Sequence, residues 1–192
     1  LPLFVAYYRR SLPRFEAIKK WLHEERIGKV RSVQWTYERS PSELDTSKAY
    51  NWRTDFKIAR GGYFDDLASH GLDLILWLLG PVTKAHGIAT KQNQNYSSFD
   101  AINGIWEHES GVLGSGDWNF NAAARKDEVI ISGSEGQIQF GVFGDKAIHL
   151  YSTYGNDSLQ IPNPKHIQQF HVEAMAAHLK GERTHSSTGA TA

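Results

Sequence analysis

Gly-Gly-Tyr-Phe-Asp-Asp-Leu-Ala-Ser-His-Gly-Leu-Asp-Leu-Ile-Leu-Trp-Leu-Leu-Gly spans residues 61–80 and divides the chain in two. From Phe64 to Leu79 it is apolar on nearly every side, the pattern of a buried helix, and Gly80-Pro81 stops it. Beyond that point the period changes from helical to alternating. Residues 83–90, 101–107, 111–119, 128–132, 136–140 and 146–151 read as strands, with turn residues between most of them, such as Gly133-Ser134-Glu135-Gly136 and Gly144-Asp145. No helical pattern interrupts them, so a broad, mostly antiparallel sheet is expected rather than a doubly wound one.

Upstream, residues 3–8 are β-branched and aromatic enough for a short strand. Ser11 and Pro13 open a helix carrying Phe15, Ile18, Trp21 and Leu22, which Gly28 closes, and residues 30–37 alternate as a further strand. A polar loop covers residues 38–60, a length more often functional than idle. A last helix over residues 164–180 places Ile167, Phe170, Met175 and Leu179 in a stripe expected to join the core. The layout is an α+β fold, one domain over residues 1–192, with helices on one face of the sheet.

Composition narrows the class of function. The 192 residues hold 21 basic and 21 acidic side chains, which removes the basic footprint of a nucleic-acid binder. The 40% hydrophobic content, with six Trp, eight Tyr and nine Phe, excludes wholesale disorder. The apolar stretch Leu74 to Leu79 is far short of the roughly 20 residues a membrane helix requires. There is no cysteine, so thiolate metal sites, disulfides and a cysteine nucleophile are excluded. The chain opens at Leu1 without Met and closes on a small-residue run, and is expected to be a piece of a longer protein, cytoplasmic with the periplasm left open.

Within the buried helix, Asp66, His70, Asp73 and Trp77 recur at spacings of four, three and four, one stripe of a helix. Two readings stand beside each other. Asp65 and Asp66 suit the positive end of the helix dipole, and His70 can be a core histidine hydrogen-bonded to Asp66. Alternatively His70 is an acid–base residue whose pKa a neighbouring carboxylate raises, both facing a cleft.

The residues resemble the carboxy-terminal domain of the glucose–fructose oxidoreductase / inositol dehydrogenase (Gfo/Idh/MocA) family. The resemblance rests on an ordered set: Arg9-Arg10 after an apolar segment, Ile27-Gly28-Lys29-Val30, Trp52-Arg53, Gly61-Gly62, Asp66 with His70 and then Asp73, the Ser132–Gly136 hairpin and the opening of the last helix at His166–Phe170. It implies a nicotinamide-dependent oxidoreductase, using NAD or NADP bound by an amino-terminal Rossmann domain absent from this chain. The reaction would transfer a hydride from a CH–OH group of a sugar or polyol. The resemblance further implies His70 as the proton-transfer residue and Asp66 as its orienting partner. Tyr8, Arg9, Arg10, Trp52, Arg53, Tyr63 and Asp73 are the candidates for substrate contact.

Other signals fail. Gly111 to Gly116 has the wrong order for a nucleotide-binding glycine loop, and the family's Glu-Lys-Pro segment is missing, so no residue is assigned to the cofactor and the chain alone is expected to be inactive. His23-Glu24-Glu25 lacks the second histidine of a zinc motif, Ile27 standing in its place, and no metal is expected. No G-x-S-x-G marks a serine nucleophile. The competing functions are a non-catalytic carbohydrate-binding or oligomerisation module, and a glycosidase of the same family that uses its cofactor transiently. Trp106, Trp118 and Phe120 are expected on the sheet face left bare by the helices, where they would form a homodimer or tetramer contact. The identity of the sugar has no readable code in the 38–60 loop.

Overall fold

The computed structural model describes residues 2–47, 49–94 and 96–192. In chain order the elements are α1 (Pro13–His23), β1 (Val30–Glu38), the one-turn α2 (Glu43–Thr46), α3 (Ser69–Leu79), β2 (Val82–Thr90), β3 (Ala101–His108), β4 (Leu113–Asn119), β5 (Lys126–Gly133), β6 (Gly136–Phe140), β7 (Ile148–Ser152), β8 (Asp157–Leu159) and α4 (Gln169–Leu179). The strands form a single open sheet in the order β2-β3-β4-β1-β5-β6-β7-β8. Neighbours are antiparallel except β1 and β4, which run parallel. Parallel neighbours need a long crossover, and here α3, β2 and β3 supply it. The strand expectation for residues 83–151 therefore stands, with β8 added at the edge.

Strand alternation sorts the side chains onto two faces. Val33, Trp35 and Tyr37 of β1, Trp118 of β4, Val129 and Ile131 of β5, and Ile138 and Phe140 of β6 are buried together with Phe15, Ile18 and Trp21 of α1 and Leu74 and Ile75 of α3. Trp106, Trp118 and Phe120 belong to this covered core, which corrects their expected place on the bare face. The period of two reports which residues share a face, but the helices decide which face is covered. The Gly111–Gly116 run gains a reason here: a Cβ on Gly114 would come within 1.9 Å of the Trp106 ring, and on Gly116 within 2.0 Å of Trp118. Those glycines are the floor on which the indoles lie.

The opposite face of the sheet carries the other set. His86, Ile105, Ser115, Gln34, Ile130, Gln139 and His149 fall in one row across seven strands. Ile88, Ile105 and Leu113 are exposed there.

Two further expectations change. Residues 3–8 do not form a strand: Phe4 makes a single bridge to Thr188, and Tyr8–Ser11 turns as a 3-10 helix. Strand-forming side chains were present, but no neighbouring strand offers a ladder. The last helix starts at Gln169 rather than at Pro164, and only His171 and Ala174 are buried on it. Of the expected stripe, Ile167 and Leu179 are exposed, Phe170 packs partly buried against the core and Met175 is half-buried, so the stripe joins the core only in part.

Candidate active site

The segment bearing the aspartate–histidine spacing begins as a π-helical turn, Phe64–Ala68, and becomes regular only at Ser69. Gly62 admits it: its φ is +60°, and a Cβ there would lie 2.7 Å from Phe99 O. In the wider turn, residues four apart no longer stack as in an α-helix. Among the described residues no hydrogen bond joins Asp66 to His70. Asp66 Oδ2 instead accepts from Arg53 Nε at 2.5 Å.

His70 is half-buried, with Tyr7 edge-on at 5.6 Å and Tyr8 tilted at 5.8 Å between ring centroids. Its Nδ1 is enclosed and has no protein partner among the described residues. Burial foremost, and then the Arg9 charge, push its pKa below the usual histidine value, while Asp66 pulls the other way. The ring is therefore neutral at pH 7. The raised pKa considered from the sequence gives way to a lowered one, because Arg53 neutralises the carboxylate and burial outweighs it.

The remaining candidates separate into two groups. Trp52 and Arg53 stand at the surface of the loop, the guanidinium 4.4 Å from the indole centroid. Tyr8 is half-buried beside His70. The others lie behind that surface. Arg9 is buried, donates from Nε to Val142 O at 3.1 Å, and lies over the rings of Tyr8 and Phe143. Arg10 and Asp73 are both buried and bind each other through two N–H donors, the Nε–Oδ2 distance being 2.9 Å. Arg10 also donates to Ser186 O at 2.6 Å. Tyr63 is buried, and its hydroxyl donates to Asp45 Oδ1 at 2.6 Å. Burial and that carboxylate push the Tyr63 hydroxyl pKa up. Arg9, Arg10, Tyr63 and Asp73 are thus buried, the last three engaged by protein partners and Arg9 keeping an enclosed Nη1 without one among the described residues.

Sequence reasoning missed Asp45 and Asn51. Asn51 Nδ2 donates to Asp45 Oδ1 at 2.7 Å, and Ser42 with Asp45 forms a reciprocal capping box around α2. The Ser42-x-x-Asp45 spacing was the available signal. Among the described residues no group of three His, Asp or Glu side chains converges on a point that would hold a metal ion.

Residues 15–139 match the family model for the GFO/IDH/MocA C-terminal domain. The chain belongs to the GFO/IDH/MocA family. Oxidoreductase P35 of Formosa agariphila is 36% identical over 170 residues, 88% of this chain and 52% of that protein. Levoglucosan dehydrogenase of Pseudarthrobacter phenanthrenivorans is 30% identical over 84 residues, 44% of this chain and 21% of that protein. The chain thus spans about half the length of the first of these relatives and less of the second.

Solved structures share the fold of this chain. An oxidoreductase from Agrobacterium radiobacter, in complex with NAD+, L-tartaric acid and magnesium, superposes with a TM-score of 0.80 at 17% identity, over 100% of this chain and 58% of that one. A levoglucosan dehydrogenase in complex with NADH and levoglucosan gives 0.78 at 20% identity, over 97% and 59%. No helix among the described residues is long and apolar enough to cross a membrane.

Proposed function

We propose that this chain is the substrate-binding and catalytic half of a nicotinamide-dependent oxidoreductase that oxidises a CH–OH group of a sugar or polyol. The observation that carries the reading is His70: a neutral imidazole, half-buried, set beside the Asp66–Arg53 pair and two tyrosines at the mouth of a helix. A nicotinamide, when bound, accepts the hydride and leaves the hydroxyl proton to the protein. The donor set fits that division, since a neutral histidine near pH 7 is suited to take a proton.

Nδ1 of His70 is enclosed, so Nε2 is the ring atom assigned to the substrate hydroxyl. Among the described residues Nδ1 has no protein partner, and a neutral ring protonated there presents the Nε2 lone pair. Arg53 and Asp66 offer a donor and an acceptor side by side at partial exposure, a pairing that matches vicinal hydroxyls. Trp52 adds an apolar ring surface against which a pyranose or polyol carbon face can rest. The relatives that bind NADH with levoglucosan or L-sorbose support the sugar class.

The same reading takes the open sheet face as a contact between copies of the chain. Ile88, Ile105 and Leu113 are exposed on it, and a depression of about 540 Å³ there is lined by Gln34, His86, Ile105 and Leu113 among others. Light scattering on the complete protein should return a dimer or larger, and a monomer would count against this contact.

The deciding experiment is a fluorescence titration of NADH and NADPH against this chain and against the complete protein, followed by a sugar screen. Binding by the complete protein alone, with a loss of about 10²–10⁴-fold in turnover for His70→Ala, is the expected result. Unchanged turnover in His70→Ala would sink the catalytic assignment.

A further inference from the structure

Trp52 and Arg53 stand on a loop that also holds one buried carboxylate, Asp45. Asp45 sits on α2 with its side chain fully enclosed. Five donors converge on it. Ser42 N at 2.7 Å, Ser42 Oγ at 2.8 Å and Arg39 Nη2 at 3.2 Å reach Oδ2. Asn51 Nδ2 at 2.7 Å and the Tyr63 hydroxyl at 2.6 Å reach Oδ1. Burial works to raise the Asp45 pKa, but the bonds from Tyr63 and Ser42, with the Arg39 charge, hold it below the usual carboxylate range. A helix of one turn needs only the Ser42 contacts for its cap, so the other three donors serve something else.

What they serve follows from where each one leads. Asn51 spends its amide on Asp45 and Tyr63, while its Oδ1 accepts from Arg53 N at 3.1 Å and so caps the 3-10 turn Trp52–Thr54. Tyr63 stands immediately before the π-helical turn that carries Asp66. One carboxylate therefore grips both the turn that bears Arg53 and the approach to the turn that bears Asp66. A third segment packs between the two: Ser98 Oγ donates to Arg53 O at 3.2 Å, and a Cβ on Gly62 would lie 2.7 Å from that hydroxyl and 3.2 Å from the same carbonyl. Arg53 Nε then meets Asp66 Oδ2 across 13 residues of chain.

We propose that Asp45 is the positioning residue of the site: through Asn51 and Tyr63 it holds Arg53 against Asp66 and so fixes the polar pair offered to the substrate hydroxyls. Asp45 itself, being enclosed, touches no substrate. The inference rests on the reading of Arg53 and Asp66 as substrate-facing, and its test separates the two.

The first arm needs no turnover. In the 192-residue chain, the Arg53 Nε–H resonance is followed by 15N NMR in wild type, Asp45→Asn and Tyr63→Phe. Wild type should show a resonance protected from solvent exchange, Asp45→Asn should lose that protection, and Tyr63→Phe should lose part of it. Protection kept in Asp45→Asn overturns the proposal. Tyr63→Phe removes only a hydroxyl, so if Asp45→Asn fails to fold, undiminished protection in Tyr63→Phe overturns it instead.

The second arm uses the complete protein with levoglucosan and NAD+. Asp45→Asn and Arg53→Met should each raise KM by about tenfold with a much smaller change in kcat, and the double variant should be no worse than Arg53→Met alone. Independent, multiplying effects would overturn the proposal. Lost protection at Arg53 with no KM change in Arg53→Met supports the positioning role and sinks the substrate role of Arg53. Absence of levoglucosan turnover counts against that sugar as substrate and leaves the resonance arm to decide the positioning.

Discussion

Two arginine–aspartate pairs hold the same helical segment seven residues apart, and they differ chiefly in burial. Arg10 and Asp73 are each 4% exposed, with the guanidinium bound through two N–H groups and a third reaching Ser186 O. Arg53 and Asp66 are 35% and 28% exposed and share a single bond. The buried pair cannot exchange partners without leaving a bare charge in the core. The outer pair, at partial exposure, can yield its bond to a ligand hydroxyl at a lower cost than the buried pair. One chemistry thus serves as an anchor at one level of the segment and as a replaceable contact at the other.

The largest expected effect tests the anchor. Asp73→Asn leaves Arg10 buried without its counter-charge and should cost about 3–5 kcal/mol, read from urea unfolding. A loss below about 1 kcal/mol would erase the distinction between the pairs.

A smaller, pH-dependent effect should fall on the anchor's side, beside the one that the lowered pKa of His70 brings to the outer pair. His185 and His171 are buried with ring centroids 4.7 Å apart, and each has a ring nitrogen without a protein partner among the described residues. Burial lowers the pKa of both. The unfolded chain therefore takes up protons first: this contribution is fully present above about pH 6.5 and is lost as the pH falls below it. Ser186, whose carbonyl accepts from Arg10, follows His185 directly. Urea unfolding between pH 7.5 and 5 should show declining stability, and His185→Gln should flatten the curve. A slope unchanged by His185→Gln would free the histidines of this role.

The smallest effect on stability belongs to the outer pair. Arg53→Met should change it by less than about 1 kcal/mol in the same titration. A cost matching that of Asp73→Asn would make Arg53 a second anchor and remove the reason for giving it to the substrate.

The strands from β2 to β7 were legible because half-buried strands alternate and glycine-rich turns separate them. The helices α1 and α3 were legible from apolar spacing and their closing glycines. The strand expected at residues 3–8 failed because side chains can favour an extended chain without supplying a neighbour to pair with. Trp118 and Phe120 were correctly paired on one face and assigned to the wrong one. At the site, the Asp66–His70 spacing was visible, but the π-helical turn that rotates one from the other was not. Asp45 went unnoticed because its importance lies in donors drawn from residues 39, 42, 51 and 63.

By itself the sequence determined the α+β class, the register of apolar periods, the family resemblance and the candidates Asp66, His70, Trp52 and Arg53. These are properties of local spacing and residue chemistry, carried by the chain before it folds. Only the tertiary structure decided which sheet face is covered, which of two like ion pairs is buried, and that burial and Arg9 hold His70 neutral. Those outcomes depend on desolvation and on charges brought together from distant positions, and neither quantity exists along an unfolded chain.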